Sequence, residues 1–282
     1  MTDQIQSLIE LALREDIGTG DITTEALFGN QTAEKTALIF AKQDLVVAGL
    51  EIARRVFLKV DSRLVWQRYF EEGALVQEGQ KIAEVRGNVV SLLKGERVVL
   101  NFLQHLSGVA TLTRRFVDRV KKYPVQILDT RKTTPGLRAL EKHAVRAGGG
   151  KNHRLGLYDR FLIKDNHLEN ISITEAVQRA KAQNRNRVVI EVEIGHFSER
   201  KLEDQIEEAI AAGADLLLLD NLSPRELKKI VSQVHGRVRL EASGGITIDH
   251  LEDYAKTGVD FISIGFLTHS APAVDISMQI SS

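Results

Sequence analysis

Residues 188–245, VVIEVEIGHFSERKLEDQIEEAIAAGADLLLLDNLSPRELKKIVSQVHGRVRLEASGG, hold three strand-like apolar runs separated by two stretches of helical spacing. The runs are VVIEVEI (188–194), LLLLDN (216–221) and VRLEASG (238–244), and the helical patterns lie near 199–212 and 224–235. The second helix has a clear start, with Ser223 as N-cap and Pro224 at the first helical position. The same alternation continues outward through strand-like VQILDT (125–130), FLIKDN (161–166) and FISIGF (261–266), with helical patterns near 137–147, 171–184 and 247–256. Strands alternating with helices imply parallel βαβ units. An open doubly wound sheet is compatible with this rhythm. A closed or nearly closed barrel is favoured, because almost every strand ends in a polar, chemically capable residue, where barrel active sites are assembled.

The first hundred residues follow a different pattern. Ile5, Leu8, Ile9, Ala12 and Leu13 have helical spacing. Short strand-like runs follow at 35–42, 44–48, 63–70 and 80–86, with a helix near 50–59 and Gly73, Gly79 and Gly87 as turns. This predicts an α+β domain. A long helix over about 93–121, broken near Gly108, leads into the strand–helix half. The expected domains are 1–108 and 109–269, with the tail 270–282 packing back on the first.

Composition narrows the function. With 38 Lys plus Arg against 38 Asp plus Glu, the chain has no basic surplus for nucleic acid or an anionic membrane. There is no cysteine, so thiolate nucleophiles, disulfides and cysteine-ligated metal are excluded. No signal-peptide h-region and no bilayer-spanning run is legible, which makes the cytoplasm the expected location.

The strand ends carry Asp129-Thr130-Arg131-Lys132, Lys164-Asp165-Asn166, Glu193, Asp220-Asn221, Ser243-Gly244-Gly245 and Gly265. Side chains alternate faces along a strand, so Glu191 and Glu193 share one face and Leu218 and Asp220 another like it. Glu193 and Asp220 then converge at the mouth. Singly, each such residue reads as an ion pair closing the barrel; six strands ending this way read as a site. From Arg131 to Lys164 there are nine Lys or Arg against two acids, Glu141 and Asp159. Arg138, Lys142 and Arg146 have the spacing of a solvated helix face. Arg131, Lys132 and Lys164 instead stand at strand ends, where they focus on a small, heavily anionic ligand. The Ser243–Gly245 turn, opening a helix at Thr247, and Gly265 after the next strand suit a phosphate. Gly148–Lys151 falls short of a P-loop, since Val145 and Asn152 stand where Gly and Ser or Thr belong.

The run DTRKTTPGLRALEKHAVRAGGGKNHRLGLYDRFLIKDNHL (129–168) resembles the quinolinate phosphoribosyltransferases, the decarboxylating nicotinate-nucleotide pyrophosphorylases. The likeness continues in LREDIGTGDITTEAL (13–27), GERVVLNFLQHLSGVAT (95–111), LLLLDN, EASGGI and IGFLTHS, and so spans nearly the whole chain. It departs between Glu193 and Asp220, where a few extra residues imply an extended helix or loop over 195–205. The resemblance implies an α/β protein with an N-terminal α/β sandwich domain and an incomplete six- or seven-stranded α/β barrel. It implies a pentosyl transfer in NAD biosynthesis: quinolinate and phosphoribosyl pyrophosphate give nicotinate mononucleotide, pyrophosphate and CO2, with Mg2+ held mainly through the pyrophosphate and water. It further implies a homodimer, with a hexameric trimer of dimers as the larger alternative.

By the same resemblance, Arg131, His153, Arg154 and Lys164 hold the quinolinate carboxylates beside Thr130, and Arg97 reaches in from the neighbouring subunit. Lys132 faces the phosphoribosyl pyrophosphate, Glu193 and Asp220 take the ribose hydroxyls, and Ser243, Gly244, Gly245 and Gly265 hold the 5′-phosphate. Lys132, Lys164, Glu193 and Asp220 are the residues expected to carry the chemistry. Three rival readings stand beside this one. They are a relative in the same superfamily (a nicotinate phosphoribosyltransferase without decarboxylation, or a molybdenum-operon paralogue of uncertain substrate), a Schiff-base aldolase using Lys164, and a binding or scaffold protein without catalysis.

Overall fold

The computed structural model describes residues 2–29, 33–196 and 200–281. The chain begins with α1 (Thr2–Ile17), α2 (Ile22–Phe28), β1 (Glu34–Ala41), β2 (Leu45–Val46), α3 (Leu50–Val60), β3 (Val65–Arg68), β4 (Leu75–Val76), β5 (Lys81–Asn88) and α4 (Val89–Val120). It continues through β6 (Gln126–Leu128), α5 (Arg138–Ala147), β7 (Phe161–Ile163), α6 (Ile173–Gln183), β8 (Ile190–Ile194), α7 (Leu202–Ala212) and β9 (Leu216–Asp220). The last elements are α8 (Pro224–Val234), β10 (Arg239–Ser243), α9 (Leu251–Ala255), β11 (Phe261–Ser263), α10 (Phe266–His269) and β12 (Ile276–Ser281). The chain divides into two compact units: residues 1–114, 134–149 and 267–282, and residues 115–133 and 150–266.

The first unit is built on an antiparallel sheet in the order β12-β1-β5-β3. Alternation along β1 buries Ala37, Ile39 and Ala41, which pack with Ile82 and Val85 of β5 and with Val56 and Phe57 of α3 into one core. The C-terminal tail completes this sheet, β12 pairing with β1 from Ala41↔Ile276 to Thr36↔Ser281. The break expected near Gly108 is absent, and α4 runs through it unbroken. Gly108 is there for a close approach instead, since a Cβ would strike the carbonyl oxygen of Pro272. Helix α2, which the alternation did not reveal, is capped by Asp21, whose Oδ1 accepts from Thr24 N at 2.9 Å. Residues 134–149 also belong to this unit. Fully buried Glu141 on α5 takes His105 Nε2 of α4 at 2.9 Å and Thr134 N at 3.1 Å.

The second unit is a wholly parallel sheet of six strands in the order β6-β11-β10-β9-β8-β7. The strands predicted in the second half of the sequence all form, each within a few residues of its expected bounds. The sheet is open, with β6 and β7 at its edges and one isolated parallel bridge, Leu128↔Lys151, beyond them. Ile190, Val192, Leu217 and Leu219 are buried toward the helices, as the alternation requires. Helix α8 buries Leu227, Ile230 and Val234, and its Ser223–Glu226 capping box fixes its start. One expectation needs correction. The helix expected to open at Thr247 begins only at Leu251 and is five residues long, because Thr247–His250 form turns. The extended segment over 195–205 resolves into α7 starting at Leu202, with residues 197–199 outside the described residues.

Candidate active site

Parallel pairing sets Ile163 of β7 beside Val192 of β8, so the next residue, Lys164, stands beside Glu193. Lys164 Nζ donates to Glu193 Oε1 at 2.7 Å, and Asp165 N approaches Oε2 at 3.4 Å. Glu193 is only 6% exposed while the Lys164 side chain is 42% exposed, so the pair is shielded at the carboxylate and open to solvent at the ammonium. One strand further, Asp220 pairs in register with Ser243, and its Oδ2 accepts from Asn221 Nδ2 at 2.7 Å. Glu193 and Asp220 therefore end neighbouring strands on the same face, as the sequence predicts.

The loop after β10 is shaped by backbone. Gly244 and Gly245 take φ of 99° and 60°, and Asn221 takes 53°. Asn221 N donates to Ser243 O at 2.9 Å, and a Cβ on Gly244 would strike Asn221 Oδ1. This closeness is why the loop needs glycine. With α9 starting late, no helix N-terminus backs the loop, and the donors it offers are its own peptide N–H groups. Gly265 follows β11, and the pairing of Ala242 with Ile262 lays the two loops side by side.

The basic side of the mouth grows from Asp129, the fully buried end of β6. Its carboxylate accepts from Asn152 Nδ2 at 2.5 Å and from His153 N at 2.8 Å, while Asp129 N donates to Lys151 O at 3.1 Å. These bonds bring residues 151–154 against the strand that leads into Thr130, Arg131 and Lys132. Thr130 Oγ1 accepts from Lys132 N at 3.0 Å, and Lys132 is exposed. Arg154 is 8% exposed, and among the described residues no carboxylate forms an ion pair with it. Burial, and then the like charge of Arg131, push its guanidinium below the usual range. A buried arginine in that position awaits an anion. Arg97 belongs to the other unit, exposed on α4, with no hydrogen bond or ion pair among the described residues.

One layer below the strand ends lies a second cluster. Glu191 and Glu241 each sit two residues before a mouth residue, Glu193 and Ser243, and both are fully buried. Glu191 Oε2 lies 3.0 Å from His153 Nε2 and 3.3 Å from Arg160 Nη1, and Glu241 Oε1 lies 3.6 Å from His153 Nε2. His153 Nδ1 accepts from Arg154 N at 2.8 Å, so both ring nitrogens are engaged inside the unit. Burial, and then the neighbouring Glu191, push the Glu241 carboxyl well above the ordinary range. Sequence reasoning gave no role to Glu241, Arg160 or Asp129. The signal for Glu241 was there, since period-two alternation from Ser243 points it inward just as it points Glu191.

The donor set suits Mg2+ only in part. Glu193 and Asp220 offer hard oxygens at the mouth, but Glu193 already holds Lys164. Such a set fits a cation that arrives with substrate phosphates, bound through one or two carboxylates and water.

Two family models cover the chain. The N-terminal domain of quinolinate phosphoribosyl transferase matches residues 21–107, and its C-terminal domain matches residues 109–279. A Bacillus subtilis protein, "Probable nicotinate-nucleotide pyrophosphorylase (carboxylating)", is 46% identical over 99% of this chain and 94% of its own length. The Nicotiana tabacum "Quinolinate phosphoribosyltransferase (decarboxylating) 2a, mitochondrial" is 38% identical over 99% of this chain and 83% of its own. A solved structure of the nicotinate-nucleotide pyrophosphorylase from Francisella tularensis superposes with a TM-score of 0.93 at 39% identity, covering 100% of this chain and 97% of that one. Matched by both family models and by relatives over nearly its whole length, the chain belongs to the quinolinate phosphoribosyl transferase family.

Proposed function

We propose that the protein transfers a phosphoribosyl group from phosphoribosyl pyrophosphate to quinolinate, releasing pyrophosphate and CO2 and leaving nicotinate mononucleotide. The observation that carries this reading is Arg154, a buried guanidinium beside Arg131 with no carboxylate ion pair among the described residues, in the same unit as Lys164. Quinolinate brings two adjacent carboxylates, and two arginines with a lysine match that charge as neither nicotinate nor a neutral carbonyl compound would.

In this reading Arg131, Arg154 and Lys164 take the carboxylates near Thr130, His153 stands beneath them with both ring nitrogens engaged, and Arg97 comes from a second subunit of a homodimer. Lys132 faces the pyrophosphate. Ser243, Gly244, Gly245 and Gly265 take the 5′-phosphate through backbone N–H groups, which left-handed glycines leave open to close approach. Glu193 and Asp220 accept from the ribose hydroxyls.

The C1′–O bond to pyrophosphate breaks first, its electron pair leaving with pyrophosphate. Positive charge develops on the ribose, and Glu193 and Asp220 have the right sign to stabilise it. Mg2+, held by Glu193, Asp220 and the substrate's own phosphates, would supply neutralisation of the departing pyrophosphate. The ring nitrogen of quinolinate then bonds to C1′. The resulting pyridinium draws in the electron pair of the adjacent carbon–carboxylate bond as CO2 departs, and a proton returns to that carbon. No covalent nucleophile is required, and positioning supplies much of the rate. Among the described residues no helix is long and apolar enough to cross a membrane, which is compatible with a cytoplasmic setting for such soluble substrates.

A product balance tests the reading. With Mg2+, quinolinate and phosphoribosyl pyrophosphate, CO2 and nicotinate mononucleotide are expected in equal amounts, with little product when nicotinate replaces quinolinate. Preferred use of nicotinate would move the chain to a non-decarboxylating transferase, and borohydride trapping of a carbonyl compound on Lys164 would move it to an aldolase.

A further inference from the structure

The buried carboxyls Glu191 and Glu241 take no part in the steps above. Both are fully buried, and three of their four oxygens, Glu191 Oε1 and both of Glu241, have no hydrogen-bond partner. Buried polar atoms left so are costly, and more so when charged. The groups facing the pair are the Arg160 guanidinium, the His153 imidazole, the Ser263 hydroxyl from β11 and, toward Glu191, the charge of Arg154. Since His153 Nδ1 accepts from Arg154 N, the neutral ring carries its hydrogen on Nε2, pointing at Glu191. Both guanidinium charges act on Glu191, whereas among the described residues Glu241 forms no ion pair with a guanidinium. A second negative charge at this depth is costly, and a proton on Glu241 supplies the missing donor.

We propose that Glu241 keeps its proton and, paired with Glu191, acts as a positioning residue, the two holding Arg160 and His153, and through them Arg154, beneath the mouth of the parallel sheet. The links are explicit. Arg160 binds Glu191 through Nη1, and its carbonyl oxygen accepts from Arg154 Nη1 at 3.5 Å. His153 binds Glu191 through Nε2 and Arg154 through Nδ1. A metal ion is the other way to fill a cluster of one histidine and two glutamates. Here the ring nitrogen that would ligate it already carries the hydrogen, and Arg160 already balances Glu191. The kinetic part of the proposal rests on the quinolinate reading; the proton itself does not.

The test uses the full-length protein and Glu241→Gln, which keeps the shape of a protonated carboxyl. Infrared difference spectra at neutral pH should show an un-ionised carboxylic acid in the wild type that is missing in Glu241→Gln. A carboxyl raised by folding adds stability that is fully present below its unfolded value and lost as pH rises through the folded one. Wild-type thermal stability should therefore fall with rising pH above the ordinary carboxylate range, and Glu241→Gln should be less sensitive there. Glu241→Gln should keep KM for quinolinate within about threefold, whereas Glu241→Ala should raise it on the order of tenfold with a smaller change in kcat. Loss of quinolinate affinity in Glu241→Gln equal to that in Glu241→Ala would overturn the proposal. So would absence of the acid band, or a stoichiometric metal in the purified protein. If the wild type itself fails to use quinolinate, the functional reading falls, while the spectra and pH series still decide the proton on Glu241.

Discussion

The two sheets of this molecule treat charge in opposite ways. In the antiparallel sheet, Lys81 and Arg86 of β5 stay exposed, and the Arg86–Glu34 pair is loose at 3.8 Å with both side chains mostly in solvent. In the parallel sheet, Glu191 and Glu241 are fully buried and Glu193 nearly so. The strand pattern alone does not separate these cases, because both sheets alternate. Connectivity separates them. An antiparallel sheet can leave one face to water, whereas βαβ crossovers cover a parallel sheet, so a charge placed inside must be paired or used. One sheet is scaffold, and the other holds the chemistry.

Substitutions can break this contrast. The largest effect is expected at Glu193, where Glu193→Gln should lower kcat/KM by about 100-fold while the protein stays folded, measured by steady-state kinetics and circular dichroism. Gly244→Ala forces a side chain into a left-handed position against Asn221, and should cost about 1–3 kcal/mol of stability while raising KM for phosphoribosyl pyrophosphate. In the first unit, Gly108→Ala meets the Pro272 carbonyl and should cost about 1–3 kcal/mol in denaturant unfolding, with both KM values unmoved. Smallest is Arg86→Ala, expected within about 0.5 kcal/mol of wild type and kinetically silent. A kinetic defect from Arg86→Ala, or none from Glu193→Gln, would erase the distinction between the sheets.

Much of this was legible in the residues. The six parallel strands and the mouth positions of Lys164, Glu193, Asp220 and Gly244 follow from period-two alternation and turn glycines. What was missed has physical causes. Gly108 reads as a helix break only if its helix is exposed; against Pro272 it is a contact point, which no local pattern reveals. Helix α9 is short because Thr247–His250 satisfy themselves in turns, His250 N donating to Thr247 O at 3.3 Å. Residues 134–149 join the first unit through Glu141 and Arg114, whose Nε donates to Gly148 O at 3.0 Å, and such long-range bonds leave no periodic trace. Glu241 lies fully buried one layer below the strand ends, where the run of chemically capable residues at the mouth does not mark it.

The proposed function makes the mouth of the parallel sheet a dicarboxylate site centred on buried Arg154. Its most direct test is the ratio of kcat/KM for quinolinate to that for nicotinate, in the wild type and in Arg154→Ala, with thermal unfolding checked in parallel. A ratio strongly favouring quinolinate is expected in the wild type, falling by about 100-fold in a folded Arg154→Ala. An unchanged ratio in the variant would contradict it.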